Sequence, residues 1–237
     1  MTGKKPGMET MAKEHEKIYH DLKQRIIWLD LAPESVVNVS ETAESIGVSR
    51  TPVKEALILL QAEGWVLRQG SHFMVTPLSL DRIREITDIR VVLEVQANVW
   101  AARRMTEESL DRLRELARKA LAIPPGTANR EMVELDFKIH HTIFKATRNL
   151  QLAQLLERLL YHYLRLWLSI PREIDKESLF GYLPELIEAL ENKNETKLRK
   201  ICYEHISGSV EEIMLSFLKY PRPEEVYGPG MEPELGV

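Results

Sequence analysis

The sequence predicts a mainly α protein in two parts, an N-terminal winged helix-turn-helix and a C-terminal all-α antiparallel helical bundle. Three observations predict it. Two short helical patterns meet at Gly47, and Arg50 and Lys54 share the outward face of the second. Two β-prone runs, Trp65-Val66-Leu67-Arg68 and Phe73-Met74-Val75-Thr76, flank Gln69-Gly70-Ser71-His72 and read as a hairpin. From Asp81 to about residue 220 glycine is sparse and only helical patterns remain.

Residues 1–12, with Gly3, Lys4, Lys5, Pro6 and Gly7, read as a disordered lead. Ile18, Leu22, Ile26 and Leu29 then form a helical stripe that ends before Pro33, where the pre-proline restriction stops a helix. Asn38 or Ser40 can cap the next short helix, through Ala43 and Ile46, and Gly47 permits a sharp turn. Ser49 or Thr51, followed by Pro52, opens the second helix, whose buried face is Val53, Ala56, Leu57 and Leu60. This is the layout of a reader that inserts the N-terminal part of its second helix into the major groove of DNA. Gly64 suits a helix C-cap ahead of the hairpin, the wing. Pro77 and Ser79 mark the boundary, so the expected division is 1–12, 13–77, 78–220 and 221–237.

Six helices are expected in the second part, at 81–104, 107–122, 130–147, 149–169, 176–192 and 194–219. Short links between them imply antiparallel neighbours. Ile83, Ile86, Ile89, Val92, Leu93 and Val99 follow a 3.6 period, and Ile123-Pro124-Pro125-Gly126 is a breaker. The tail 221–237, acidic and proline-rich, reads as disordered. With 237 residues, 44% hydrophobic and 29% charged, the chain has the composition of a soluble globular protein. One cysteine, Cys202, excludes an internal disulfide framework and suits a reducing cytosol. No apolar run follows Lys4-Lys5, and the apolar stretch 155–170 is broken by Glu157, Arg158, His162 and Arg165. A cytoplasmic protein with no membrane contact is expected. The net charge of −4 lacks the basic excess common in nucleic-acid binders, so DNA binding requires cations placed locally and is helped by dimerisation.

In the bundle, Asp136 and His140 lie four apart and project from one helix face. Such a pair can ligate a divalent metal, or serve as a buried polar or surface pair. An enzyme using Asp136, His140 and His205 around an activated water is the competing reading, although no Gly-rich phosphate loop, nucleophile elbow or HExxH appears. A winged helix that contacts protein rather than DNA is a third.

Gly47-Val48-Ser49-Arg50-Thr51-Pro52-Val53-Lys54-Glu55-Ala56-Leu57, with Glu63-Gly64-Trp65-Val66 beyond it, resembles the signature of the GntR family of bacterial transcription regulators. Arg90-x-x-Leu93-Glu94, Asp136-Phe137-x-x-His140, Thr147-Arg148-Asn149 and Glu188-Ala189-Leu190 before His205 resemble the helical FCD-type effector domain of its FadR-like branch. The resemblance implies a ligand-responsive homodimeric regulator, a repressor, that reads a near-palindromic operator. Ser49, Arg50, Thr51 and Lys54 would meet DNA from the second helix, and Gly70 and His72 from the wing, where the family's tip glycine is replaced by His72. It also implies a small organic acid as effector and one zinc, nickel or manganese ion held by an Asp and three His. Asp136, His140 and His205 stand at three ligand positions, and Leu183 stands where the remaining His belongs. A metal-free pocket is the alternative. Arg90 and Arg165 are candidates to pair with the effector, although Arg90 can equally bridge to Glu94. Trp100, Tyr161, Tyr163 and Trp167 are expected in the core.

Overall fold

A computed structural model describes residues 6–219, and side chains within 14–217. The chain forms two compact units, Met1–Leu78 and Ser79–Val237. In the first, α1 (Pro6–Ile27), α2 (Val39–Ile46) and α3 (Arg50–Ala62) surround a small sheet of β1 (Val36–Val37), β2 (Val66–Gln69) and β3 (His72–Val75). Residues 6–12, expected in the lead, belong to α1. Residues 1–5 and the tail 221–237 lie outside the described residues. The first helix ends at Ile27, so Leu29 does not continue its stripe. Leu29 sits at φ 61° in the turn that follows. Ile18, Leu22, Ile26 and Ile27 are buried against α3.

Of the two cap candidates for α2, Asn38 is the one used: its side chain accepts from the N–H groups of Ser40 and Glu41. Gly47 closes α2 at φ 71°, a conformation that a Cβ would strain. At the other end of α3, Gly64 donates to the Gln61 carbonyl at 3.0 Å and Trp65 to that of Leu60 at 2.9 Å, with Gly64 at φ 79°. That pair of bonds turns the chain directly into β2. Val53, Ala56, Leu57 and Leu60 are fully buried with Trp65, Val66 and Val75. Each large apolar side chain removed from water in this way is worth about 1.5–3 kcal/mol. The strands run in the order β1-β3-β2, antiparallel, with Gln69 opposite His72 and Gly70-Ser71 as the two-residue tip. The two-residue strand β1, which pairs Val36 with Met74, is not expected from sequence.

The second unit contains α4 (Leu80–Arg104), α5 (Glu107–Leu121), α6 (Asn129–Ala146), α7 (Leu150–Ser169), α8 (Lys176–Phe180), α9 (Leu183–Glu191) and α10 (Glu195–Lys219). The single helix expected over 176–192 is therefore two, and the reason is Pro184. Lacking an N–H, it cannot donate to the carbonyl of Phe180. Ser79, Thr106, Asn149 and Asp175 cap α4, α5, α7 and α8 by accepting from the N–H three residues on. The central helix is α4, which packs on α6, α7, α9 and α10. Leu113, Phe144, Leu156, Leu160, Phe180 and Leu186 fill the core around it. Tyr163 and Trp167 are buried as expected, whereas Trp100 and Tyr161 remain half-buried. Among the described residues no helix is long and apolar enough to cross a membrane.

One polar cluster ties α1 to the end of α3. Glu63 accepts from the Tyr19 hydroxyl at 2.6 Å, from Lys23 at 2.6 Å and from the Trp65 indole at 2.9 Å. Burial opposes its ionisation, but the bonds from Lys23, Tyr19 and Trp65 outweigh that and hold the carboxyl below the ordinary glutamate range. A depressed folded-state pKa gives stability that is present above the unfolded value and is lost as pH falls through the folded one. Replacing Glu63→Gln should destabilise the first unit by about 1–3 kcal/mol at pH 7. Thermal unfolding followed by circular dichroism should show that gap narrowing below the ordinary glutamate pKa.

Candidate functional site

The first candidate surface is the start of α3. Ser49 occupies its N-cap position with φ −74° and ψ 164°, yet its side chain makes no capping bond. The hydroxyl and the first-turn N–H groups of the helix are thus available together, on the end where the helix dipole favours an anion. Arg50, Thr51 and Lys54 are exposed around the same turn. No ion pair of Arg50 or Lys54 occurs among the described residues. Of the carboxylates along α3, Glu55 lies 3.9 Å from His15 on α1, and Glu63, at the opposite end, is held by Lys23. At the wing, Gly70 takes φ 58° in the first tip position, the place a primed hairpin turn requires glycine. His72 is exposed at the start of β3. Sequence reasoning missed Arg68, an exposed cation on β2 whose Nε donates to the Gly70 carbonyl at 3.2 Å. Strand alternation alone would put Arg68 on the face of the buried Val66, and it is exposed because only Val66 of β2 turns inward.

The second candidate lies inside the bundle. Arg90 and Glu94, four apart on α4, are both buried and joined by a 2.5 Å Nε–Oε1 bond. The guanidinium stacks on the Tyr163 ring at 4.2 Å, and its Nη1 is buried without a hydrogen-bond partner. On α6, His140 stands between two carboxylates, with Nδ1 3.6 Å from Glu94 Oε2 and Nε2 3.6 Å from Asp136 Oδ1. Those gaps are too long for hydrogen bonds, and Asp136 Oδ1 is buried and unpartnered. His205 on α10 faces the His140 ring with centroids 5.8 Å apart, and Tyr182, in the turn between α8 and α9, stacks on His205 at 3.7 Å. Asp136, His140 and His205 are therefore neighbours, but no three His, Cys, Asp or Glu side chains among the described residues converge as metal ligands.

The void beside His140 and His205 is small, about 10 Å³, the room of a single water. Its walls include Glu94, Asn98, His140, Tyr182, Cys202 and His205. Burial pushes the Asp136 carboxyl up to about 7, against the pull of Arg90 and with a push from Glu94. Burial, helped by the Arg90 charge, drives His140 down to about 3. Burial with His140 and Arg90 drives His205 well below the usual imidazole value, so both rings are neutral. Leu183 is buried, and the ring that enters the cavity from this segment is that of Tyr182. Of the two arginines proposed for an effector, Arg90 stands behind Glu94 in the salt bridge that the sequence also allowed. Arg165 is buried on α7 outside the cavity walls, where burial and Arg82 lower its pKa to about 10. Sequence reasoning did not give Tyr182, Asn98 or Cys202 a place at the site. Asn98 could have been found, because it continues the i, i+4 row of Arg90 and Glu94 and donates to the Glu94 carbonyl at 2.9 Å.

Comparison with known proteins gives a consistent picture. The model of the gntR family of bacterial regulatory proteins matches residues 14–72, and that of the FCD domain matches residues 85–208. YdhC of Bacillus subtilis (strain 168), described as an uncharacterized HTH-type transcriptional regulator, is 28% identical over 201 residues, covering 83% of this chain and 89% of that protein. The HTH-type transcriptional repressor RspR of Escherichia coli (strain K12) is 26% identical over 206 residues, 84% of this chain and 90% of that protein. The solved structure of E. coli McbR/YncC superposes with a TM-score of 0.72, covering 87% of this chain and 98% of that one. At 22% identity, that last likeness concerns the fold.

The buried acid makes the bundle sensitive to pH. Because the folded pKa of Asp136 is raised, the native state holds its proton more tightly. That contribution is complete below the unfolded value and is lost as pH rises towards about 7. Asp136→Asn removes the ionisation. It should leave stability near the parent's below about pH 4 and raise it by roughly 1–3 kcal/mol at pH 8. Denaturant unfolding at the two pH values checks this.

Proposed function

The chain belongs to the gntR family of bacterial regulatory proteins, in the branch that carries an FCD domain, and from that premise we propose how it reads DNA and how it is controlled. It is a DNA-binding transcription regulator, not an enzyme: its family and relatives are regulators, and the hydrolytic reading of Asp136, His140 and His205 finds no support among them. In our reading α3 enters the major groove by its N-terminal turn. Ser49, Thr51 and the free N–H groups meet phosphate, and Arg50 and Lys54 reach base edges or phosphate. The observation that carries this is the uncapped, cation-flanked start of α3. Gly70 and His72 bring the wing against the neighbouring groove, with Arg68 beside them.

A single winged helix makes few phosphate contacts, and the net charge of −4 adds no general attraction. We therefore propose a homodimer on a near-palindromic operator, its half-sites about 34 Å apart or a multiple of that. Large apolar side chains exposed on the bundle, Ile89 and Val92 of α4 and Tyr203 and Leu215 of α10, support self-association. The polar cavity around Glu94, His140 and His205, which has room for one water, would take a small metabolite such as an organic acid by displacement of the Tyr182 ring. Its binding would favour a dimer whose heads no longer match both half-sites. Repression is the direction of control we propose, in line with the repressor RspR among the relatives.

The expected result is that Arg50→Ala weakens operator binding by about 10- to 100-fold, the scale of one lost bidentate base contact. Its thermal unfolding should match the parent's, since Arg50 is exposed. A mobility-shift titration at fixed salt checks both directions, because unchanged affinity removes Arg50 from the contact.

A further inference from the structure

The cavity of this chain departs from the metal-binding pattern that its resemblance to the FadR-like branch implies, and the departure is specific. Leu183, at the position of the missing histidine, is fully buried and offers no lone pair. One residue earlier, the Tyr182 ring lies 3.7 Å from the His205 ring at an interplanar angle of 23°, covering the face of the imidazole. Its hydroxyl is buried with no hydrogen-bond partner. Two causes place it there. Pro184 breaks the helix at this point, and Gly181 allows the turn, because a Cβ at Gly181 would lie 2.4 Å from Glu177 Oε1 and 2.6 Å from its carbonyl oxygen. The remaining candidates do not compensate. His140 Nε2 and Asp136 Oδ1 are 3.6 Å apart, and the His140 and His205 rings face each other at 27°. Imidazole lone pairs lie in the ring plane, so rings stacked face to face do not aim at one point.

We infer that Tyr182 has taken the place of the missing metal ligand, and that this regulator's cavity operates without a divalent ion. The residues at hand do not fit a metal: two imidazoles whose planes do not converge, Asp136 and the Arg90-paired Glu94 are present, and neither Tyr182 nor Leu183 supplies the missing nitrogen donor. The void of about 10 Å³ leaves room for a water, which Asn98 Oδ1 or the Tyr182 hydroxyl, both unpartnered, could hold. A ligand entering this cavity must then be recognised by hydrogen bonds and by displacement of the Tyr182 ring, not by coordination. The inference rests on the cavity being the sensing site, but its test is read without DNA, so a failure here is distinct from a failure of the regulator reading.

The test uses the full chain without an affinity tag, stripped with EDTA and titrated with zinc chloride and nickel chloride by calorimetry. Bound metal is then counted by elemental analysis after gel filtration. The parent chain should retain no stoichiometric ion, and EDTA should leave its Tm unchanged. Tyr182→His places an imidazole in the cavity against His205 and should raise zinc affinity at least about tenfold, a gain of 1.4 kcal/mol. An ion retained at about one per chain by the parent and lost on His140→Ala would overturn the inference. So would a folded Tyr182→His variant that gains no affinity, since Tyr182 would then not mark the missing-ligand position. Metal that survives His140→Ala lies outside the cavity and leaves the inference standing.

Discussion

The second unit depends on the burial of an arginine and a glutamate together. Arg90 and Glu94 are about as buried as any apolar residue of the core, and taking either from water alone would cost several kcal/mol. Their i, i+4 spacing on α4 lets the helix carry the pair inward as one neutral unit. A helix that carries such a pair must turn that face inward, and α4 accordingly packs on α6, α7, α9 and α10 while Ile89 and Val92 stay exposed on its other face. The Tyr163 ring covers the guanidinium, and Asn98 donates to the Glu94 carbonyl. The second carboxylate oxygen is then left to face His140. A polar cavity in an otherwise apolar bundle follows from that one arrangement.

In the first unit the same problem has a smaller solution. Glu63 closes α3 and is satisfied by three donors, two of them from α1, so that the acidic end of the recognition element is neutralised. The opposite end keeps its cations and its N–H groups unspent. A net charge of −4 is therefore no obstacle to DNA binding, because screening reduces distant charges to little beyond about 8–10 Å while contacts at the α3 turn are local. Fold and charge distribution thus place the anion-binding potential at the residues where base contact is proposed.

Much of this was legible in the residues. The buried stripe of α3, the turn glycines Gly47 and Gly64, the hairpin and the bundle all follow from periodicity and turn chemistry, as does the pairing of Asp136 with His140 and of Arg90 with Glu94 by spacing. Other features depend on partners distant in sequence. The strand β1 is two residues long and exists only because β3 lies beside it. Residues 6–12 look like a lead because their composition is polar and glycine-containing, yet they continue the helix. The break at Pro184 was visible as a proline, but its consequence, the Tyr182 ring on His205, depends on α10 being adjacent. Arg165 shows the limit of residue type as a guide, since a buried arginine can stand outside the cavity it was expected to line.

The central claim is that this chain reads a specific DNA sequence through α3, and selection from a random DNA library by the full chain tests it most directly. The account predicts enrichment of one motif made of two inverted half-sites, centred about 10 base pairs or a multiple of that apart. The Arg50→Ala protein should lose the enriched positions while retaining its fold. Recovery of no motif by the parent chain, or of the same motif by the Arg50→Ala variant, would contradict it.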